Sequence, residues 1–141
     1  MSELTIEAAQ RILADVFAPW VQALDIRVEA IGEGEATLRM PFAPGIAREG
    51  GTVCGQALMS LADTAMAFAI SGAYGAFRPM TTVTQTTSFL RPAAGVDVVA
   101  KAKIGKLGRT LAFGDVILGP PGAGEVFATV SSAYAILSPS R

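Results

Sequence analysis

The sequence contains no histidine. That absence excludes Ser-His-Asp and Cys-His catalysis, imidazole-ligated zinc or iron, and every imidazole acid-base scheme. Any proton transfer is left to a carboxylate, cysteine, tyrosine, lysine or bound water. The single cysteine, Cys54, excludes an internal disulfide and any multi-cysteine metal site, so neither a metal nor a cofactor is expected. Charged residues make up only 16% of the chain, well below the usual quarter, which implies that part of its surface is covered by another subunit. A formal net charge of −1 offers no general attraction for nucleic acid or an acidic membrane. The first residues, MSELTIEAAQRILADVF, are acidic and amphipathic rather than basic and then apolar, unlike a secretory signal. The longest apolar run, 57–70, is too short to span a bilayer and contains Asp63. A soluble, cytoplasmic protein is the expectation.

What is present suits one domain, 1–141, with a helical segment over 1–22 and the main core over 23–138. Ile6, Ala9, Leu13, Val16, Phe17 and Trp20 recur at helical spacing after a Thr5 cap. From Leu24 the period changes to two. Ile26, Val28 and Ala30 alternate, and Ala36, Leu38 and Met40 alternate after GEGE, which reads as a hairpin. Prolines and glycines make 41–53 a loop. Residues 55–71 form the one long apolar helix, stopped at Gly72. Because it is apolar nearly all round, other structure must wrap it. Strand-like runs follow at 81–90, 96–104, 110–118 and 126–137, parted by RPAAG, GKLG and GPPGAG. The order predicts an α+β fold in which an antiparallel sheet curls around one central helix, with an extra helix at the N-terminus.

One residue breaks the pattern. Asp63 is the only charged residue between Glu49 and Arg78, set among alanine, leucine, methionine and phenylalanine. An ionised carboxylate removed from water without partners costs several kcal/mol. A chain that places one there either compensates it or uses it.

Three stretches, CGQALMSLADTAMAFA, TTVTQTTSFLRPA and KLGR, resemble the hotdog-fold acyl-CoA thioesterases of the phenylacetate-degradation (PaaI-like) type over about 24–137. The resemblance implies a hotdog fold and hydrolysis of a coenzyme A thioester, with coenzyme A as part of the substrate. It puts Asp63 at the catalytic carboxylate, as general base or nucleophile, and Gly55 at the glycine whose backbone N–H polarises the thioester carbonyl. Thr82 falls on a hydroxyl position that orients water, and Arg48 where relatives often carry an amide. Cys54 stands in place of the family's histidine, and Gln56 in place of its second glycine. The basic residues from Arg91 onward, with the turn of Lys106, Gly108 and Arg109, are candidates for the coenzyme A phosphates. A solvated strand face explains them nearly as well. Met59, Met66 and Phe68 are candidates for the acyl pocket, or plain core.

Helical geometry adds a constraint. Eight residues at about 1.5 Å each separate Gly55 from Asp63 by roughly 12 Å. One thioester cannot use both from the same chain, so a homodimer is required, and the resemblance implies that dimers pair into a tetramer. The alternatives are a non-catalytic acyl-CoA or fatty-acyl binding protein and a hotdog enoyl-CoA hydratase, the latter disfavoured by the missing histidine.

Overall fold

A computed structural model describes residues 4–137. The domain limits expected at residues 1 and 138 lie outside the described residues. Helix α1 (Ile6–Asp15) begins as expected: the Thr5 hydroxyl accepts the Ala8 N–H at 3.0 Å. The helical run does not continue to Trp20. Pro19 lacks the N–H that a continuing helix needs, and it instead starts the short helix α2 (Pro19–Gln22). Ala9 and Leu13 form the buried stripe of α1.

Strands β1 (Arg27–Gly32) and β2 (Glu35–Met40) pair through a two-residue turn in which Gly34 takes φ 80°. The loop after β2 holds a single 3-10 turn and a miniature hairpin, β3 (Ala47–Arg48) with β4 (Thr52–Val53). It leads directly into helix α3 (Gly55–Tyr74). Strands β5 (Met80–Phe89), β6 (Val98–Leu107), β7 (Leu111–Gly119) and β8 (Ala128–Ile136) complete the sheet. Its order is β1-β2-β6-β7-β8-β5, antiparallel throughout. Helix α3 lies against its inner face, and the fold is a hotdog: six antiparallel strands around one long helix, with α1 added outside. Inward residues such as Ala112, Val116 and Leu118 of β7 alternate with exposed Leu111, Phe113 and Ile117, as a half-solvated strand requires.

Gly72 does not stop α3. It sits inside the helix because the carbonyl oxygen of Gly32 approaches so closely that a Cβ there would lie 2.2 Å from it. The stop is Gly75, whose φ of 75° forms a left-handed cap. At 20 residues α3 is therefore long enough to cross a membrane, but it is the core helix, with twelve of its residues buried in the fold. Met66 and Phe68 belong to that buried set, fully enclosed, and are core rather than pocket lining.

The two edges of the sheet differ. At the start of β1, the Gln10 side chain from α1 occupies two outward backbone groups, donating to Ile26 O at 3.0 Å and accepting from Val28 N–H at 2.9 Å. On β5 nothing among the described residues pairs with the outer edge, and Val83 and Phe89 are each more than half exposed.

Candidate active site

Asp63 lies midway along α3, half-buried, and faces strands β5 and β8. Thr82 and Tyr134 stand directly opposite one another in the β5–β8 ladder, next to a bulge at Val83, so both hydroxyls converge on one point. Thr82 Oγ1 donates to Asp63 Oδ1 at 2.8 Å. The Tyr134 hydroxyl donates to the same Oδ1 and lies 3.1 Å from the Asp63 backbone carbonyl. Burial, reinforced by the Asp63 charge, pushes the Tyr134 phenol far above its ordinary value, so it stays protonated and remains a donor. Among the described residues, no protein group hydrogen-bonds Asp63 Oδ2. The nearby Thr64 and Ser60 hydroxyls are spent on the Ser60 and Gln56 carbonyls.

Asp63 opens onto a cavity of about 400 Å³ lined also by Trp20, Gln56, Met59, Ser60 and Gln85. Gln85 of β5 donates to the Met59 carbonyl at 2.9 Å, which fixes the strand against the helix beside this opening. Trp20, 57% exposed, and Met59 give it an apolar wall.

Gly55 lies elsewhere. It is the first residue of α3, and the preceding Cys54 is a half-buried N-cap that supplies no side-chain hydrogen bond. The Cys54 N–H is itself held by Ile46 O at 2.8 Å. The Phe89 ring packs over Gly55, where a Cβ would come within 3.2 Å of it. This helix start borders a second cavity of about 460 Å³ that contains Arg48, Leu58, Phe89, Leu90 and Arg91. Gly55 and Asp63 thus open onto different cavities of the same chain, as their spacing along the helix requires.

The remaining expected residues divide. Gln56 is exposed and lines the Asp63 cavity rather than that of Gly55. Arg48 and Arg91 share the Gly55 cavity, and Arg91 is ion-paired with Glu125. Lys106, Gly108 and Arg109 stand at the opposite end of β6, away from Arg91 by about the length of a ten-residue strand, roughly 30 Å. The basic run is therefore two separate groups, not one phosphate-binding patch. Gly108 serves the turn itself: its N–H donates to Leu111 O at 2.7 Å, and a Cβ would lie 2.8 Å from that oxygen. Lys101 and Lys103 point outward, opposite Thr37 and Glu35 of β2, as a solvated face.

Two residues of the site escape a reading of the sequence. Tyr134 is 71 positions from Asp63, and its only signal is an inward position on β8 carrying a hydroxyl that needs a partner when buried. Trp20 reads as part of a helix stripe that the Pro19 break dissolves.

A family model for the thioesterase superfamily matches residues 50–118, a span holding Gly55, Asp63 and Thr82 but neither Trp20 nor Tyr134. A candidate thioesterase of Silicibacter sp. TM1040 is 30% identical, with 94% of this chain and 92% of that one aligned at a TM-score of 0.82. Zebra fish thioesterase superfamily member 2 is 25% identical over 95% of this chain and 99% of its own, with a TM-score of 0.83. The phenylacetic acid degradation protein PaaI of Thermus thermophilus, in a mutant form, is 27% identical over 85% of this chain and all of that one, with a TM-score of 0.74. The chain belongs to the thioesterase superfamily, has a hotdog fold similar to that of the PaaI proteins, and is a thioester hydrolase.

Proposed function

We propose that this enzyme hydrolyses an acyl-CoA thioester in a cleft shared by two copies of the chain. The carrying observation is the separation of Asp63 from the Gly55 helix start: each opens onto its own cavity, and a twofold partner is what can bring one of each together. The bare edge of β5, which carries Thr82, Gln85 and Phe89 on its inner side, supports pairing there.

In this reading the thioester carbonyl accepts from Gly55 N–H of the partner subunit, aided by the partial positive charge of the α3 start. Asp63 takes one proton from a water whose oxygen adds to the carbonyl carbon. Collapse of the tetrahedral species breaks the C–S bond, and the proton passes from Asp63 to the coenzyme A sulfur, giving free acid and thiol. The acyl group lies against Met59 and Trp20. Arg48 and Arg91 flank the mouth nearest the oxyanion. The turn of Lys106, Gly108 and Arg109 cannot meet the same phosphate cluster as Arg91 on one protomer, and we assign it to the nucleotide end of a coenzyme A bound across the twofold. No cofactor is required, and the site of action is the cytoplasm. The outward Leu111, Phe113 and Ile117 of β7 give dimers an apolar sheet face through which to form a tetramer.

Purified enzyme is tested on aryl, short-chain and medium-chain acyl-CoA thioesters by free-thiol release, beside Asp63→Asn. Turnover is expected on at least one class, reduced roughly 100- to 10,000-fold by the substitution, the range typical of a lost general base. Unchanged turnover in Asp63→Asn eliminates this chemistry, and binding of every thioester without turnover favours a carrier.

A further inference from the structure

Asp63 has two carboxylate oxygens, and the fold treats them differently. We infer that Tyr134 is a positioning residue: with Thr82 it saturates Oδ1 and so commits Oδ2 as the oxygen that receives the proton of the attacking water. The inference rests on the hydrolytic reading above.

Three observations carry it. Both hydroxyl donors, from two neighbouring strands, reach the same oxygen, while no protein donor among the described residues reaches the other. Tyr134 is one of the largest fully enclosed side chains in the fold, 2% exposed, so the ring cannot swing aside. Its hydroxyl also approaches the Asp63 main-chain carbonyl at 3.1 Å, which ties the donor to the helix backbone as well as to the carboxylate. A carboxylate on two torsions of its own can present either oxygen or neither. Two hydroxyls fixed in one sheet remove that freedom.

The arrangement also suits an enzyme without histidine. The phenol is held protonated by burial and by the adjacent negative charge, so it remains a hydrogen-bond donor to Asp63 and does not compete for the water's proton. A histidine in its place would change charge near neutrality. Tyr134 touches neither substrate nor water in this scheme. It acts only through Asp63.

The experiment pairs kinetics with crystallography on full-length Tyr134→Phe, using the thioester turned over fastest by the native enzyme. Expected are a kcat lowered about 10- to 100-fold, a KM within about twofold of native, and an Asp63 carboxylate rotated or split between rotamers at high resolution. Thr82→Val is the second variant, needed if the phenylalanine enzyme does not fold, and is expected to show the same kcat-selective loss on a smaller scale. A native kcat in Tyr134→Phe overturns the assignment, as does a loss confined to KM. If the native protein hydrolyses no thioester, the hydrolase reading falls separately, and the rotamer decides: a displaced carboxylate supports positioning by Tyr134, and an unmoved one overturns it.

Discussion

The sheet has one closed edge and one open edge, and the chain spends very different residues on them. At β1 a glutamine from α1 occupies two of the hydrogen-bonding groups that another strand would use. A charge network fastens the same side: Asp97, just ahead of β6, accepts from Arg39 of β2 and from the Phe42 N–H, and Arg39 also reaches Glu29 of β1. At β5 there is no comparable cover among the described residues, and ten residues of strand end in exposed Phe89 and Leu90. Long unprotected edges are a liability that natural proteins rarely leave unmanaged. The asymmetry favours the proposed pairing of a second copy on the edge that carries Thr82 and Gln85 over pairing on the edge that α1 already covers in part.

Placing a charge on the open edge challenges this contrast most severely. Val83→Asp is expected to shift the protein from dimer or larger to monomer by light scattering, with thioesterase activity falling about 100-fold at low protein concentration. A monomeric variant that kept native kcat would place the whole site within one chain. The converse change, Gln10→Ala, unseals the closed edge. It is expected to lower unfolding stability by about 1–2 kcal/mol in urea titration, through two lost backbone partners, while kcat stays native.

A smaller effect separates the edges by pH. The Phe42 N–H first, and then Arg39, hold the Asp97 carboxyl below its ordinary value. A depressed acid of this kind contributes stability that is complete above the ordinary aspartate value of 3.8 and is lost as the pH falls through its lower folded-state value. Urea midpoints measured from pH 5 downward are therefore expected to fall less steeply in Asp97→Asn than in the native protein. Identical slopes would show that this network does not fasten the closed side.

Much of the fold is legible in the sequence because periodicity is local. The switch from helical spacing to alternation at Leu24, the GEGE hairpin and the all-round apolar character of α3 need no knowledge of distant residues. Errors arise where a partner distant in sequence, or a single proline, decides. Gly72 resembles a helix stop until the Gly32 carbonyl is seen pressed against it, and Trp20 resembles part of the first helix's stripe until Pro19 starts a separate turn. The site shows the same division. Asp63 announces itself by isolation in an apolar run, and Gly55 and Thr82 by motif, but Tyr134 reaches Asp63 only through the pairing of β5 with β8. The basic run misleads in the opposite sense: nearness in sequence suggests one patch, whereas strand length separates its ends.

The shared cleft can be tested by complementation. Asp63→Asn removes the proposed base. Gly55→Pro removes the proposed oxyanion donor, the N–H at the first helical position, where proline is tolerated and where the extended backbone of Cys54 already suits a following proline. Each homodimer is expected to be nearly inactive. Unfolded together and refolded in equal amounts, the two chains should recover about a quarter of native activity, because half the dimers are mixed and each mixed dimer holds one intact site of two. Absence of any recovery, from mixed dimers verified by mass spectrometry, would contradict a site built from Gly55 of one subunit and Asp63 of the other.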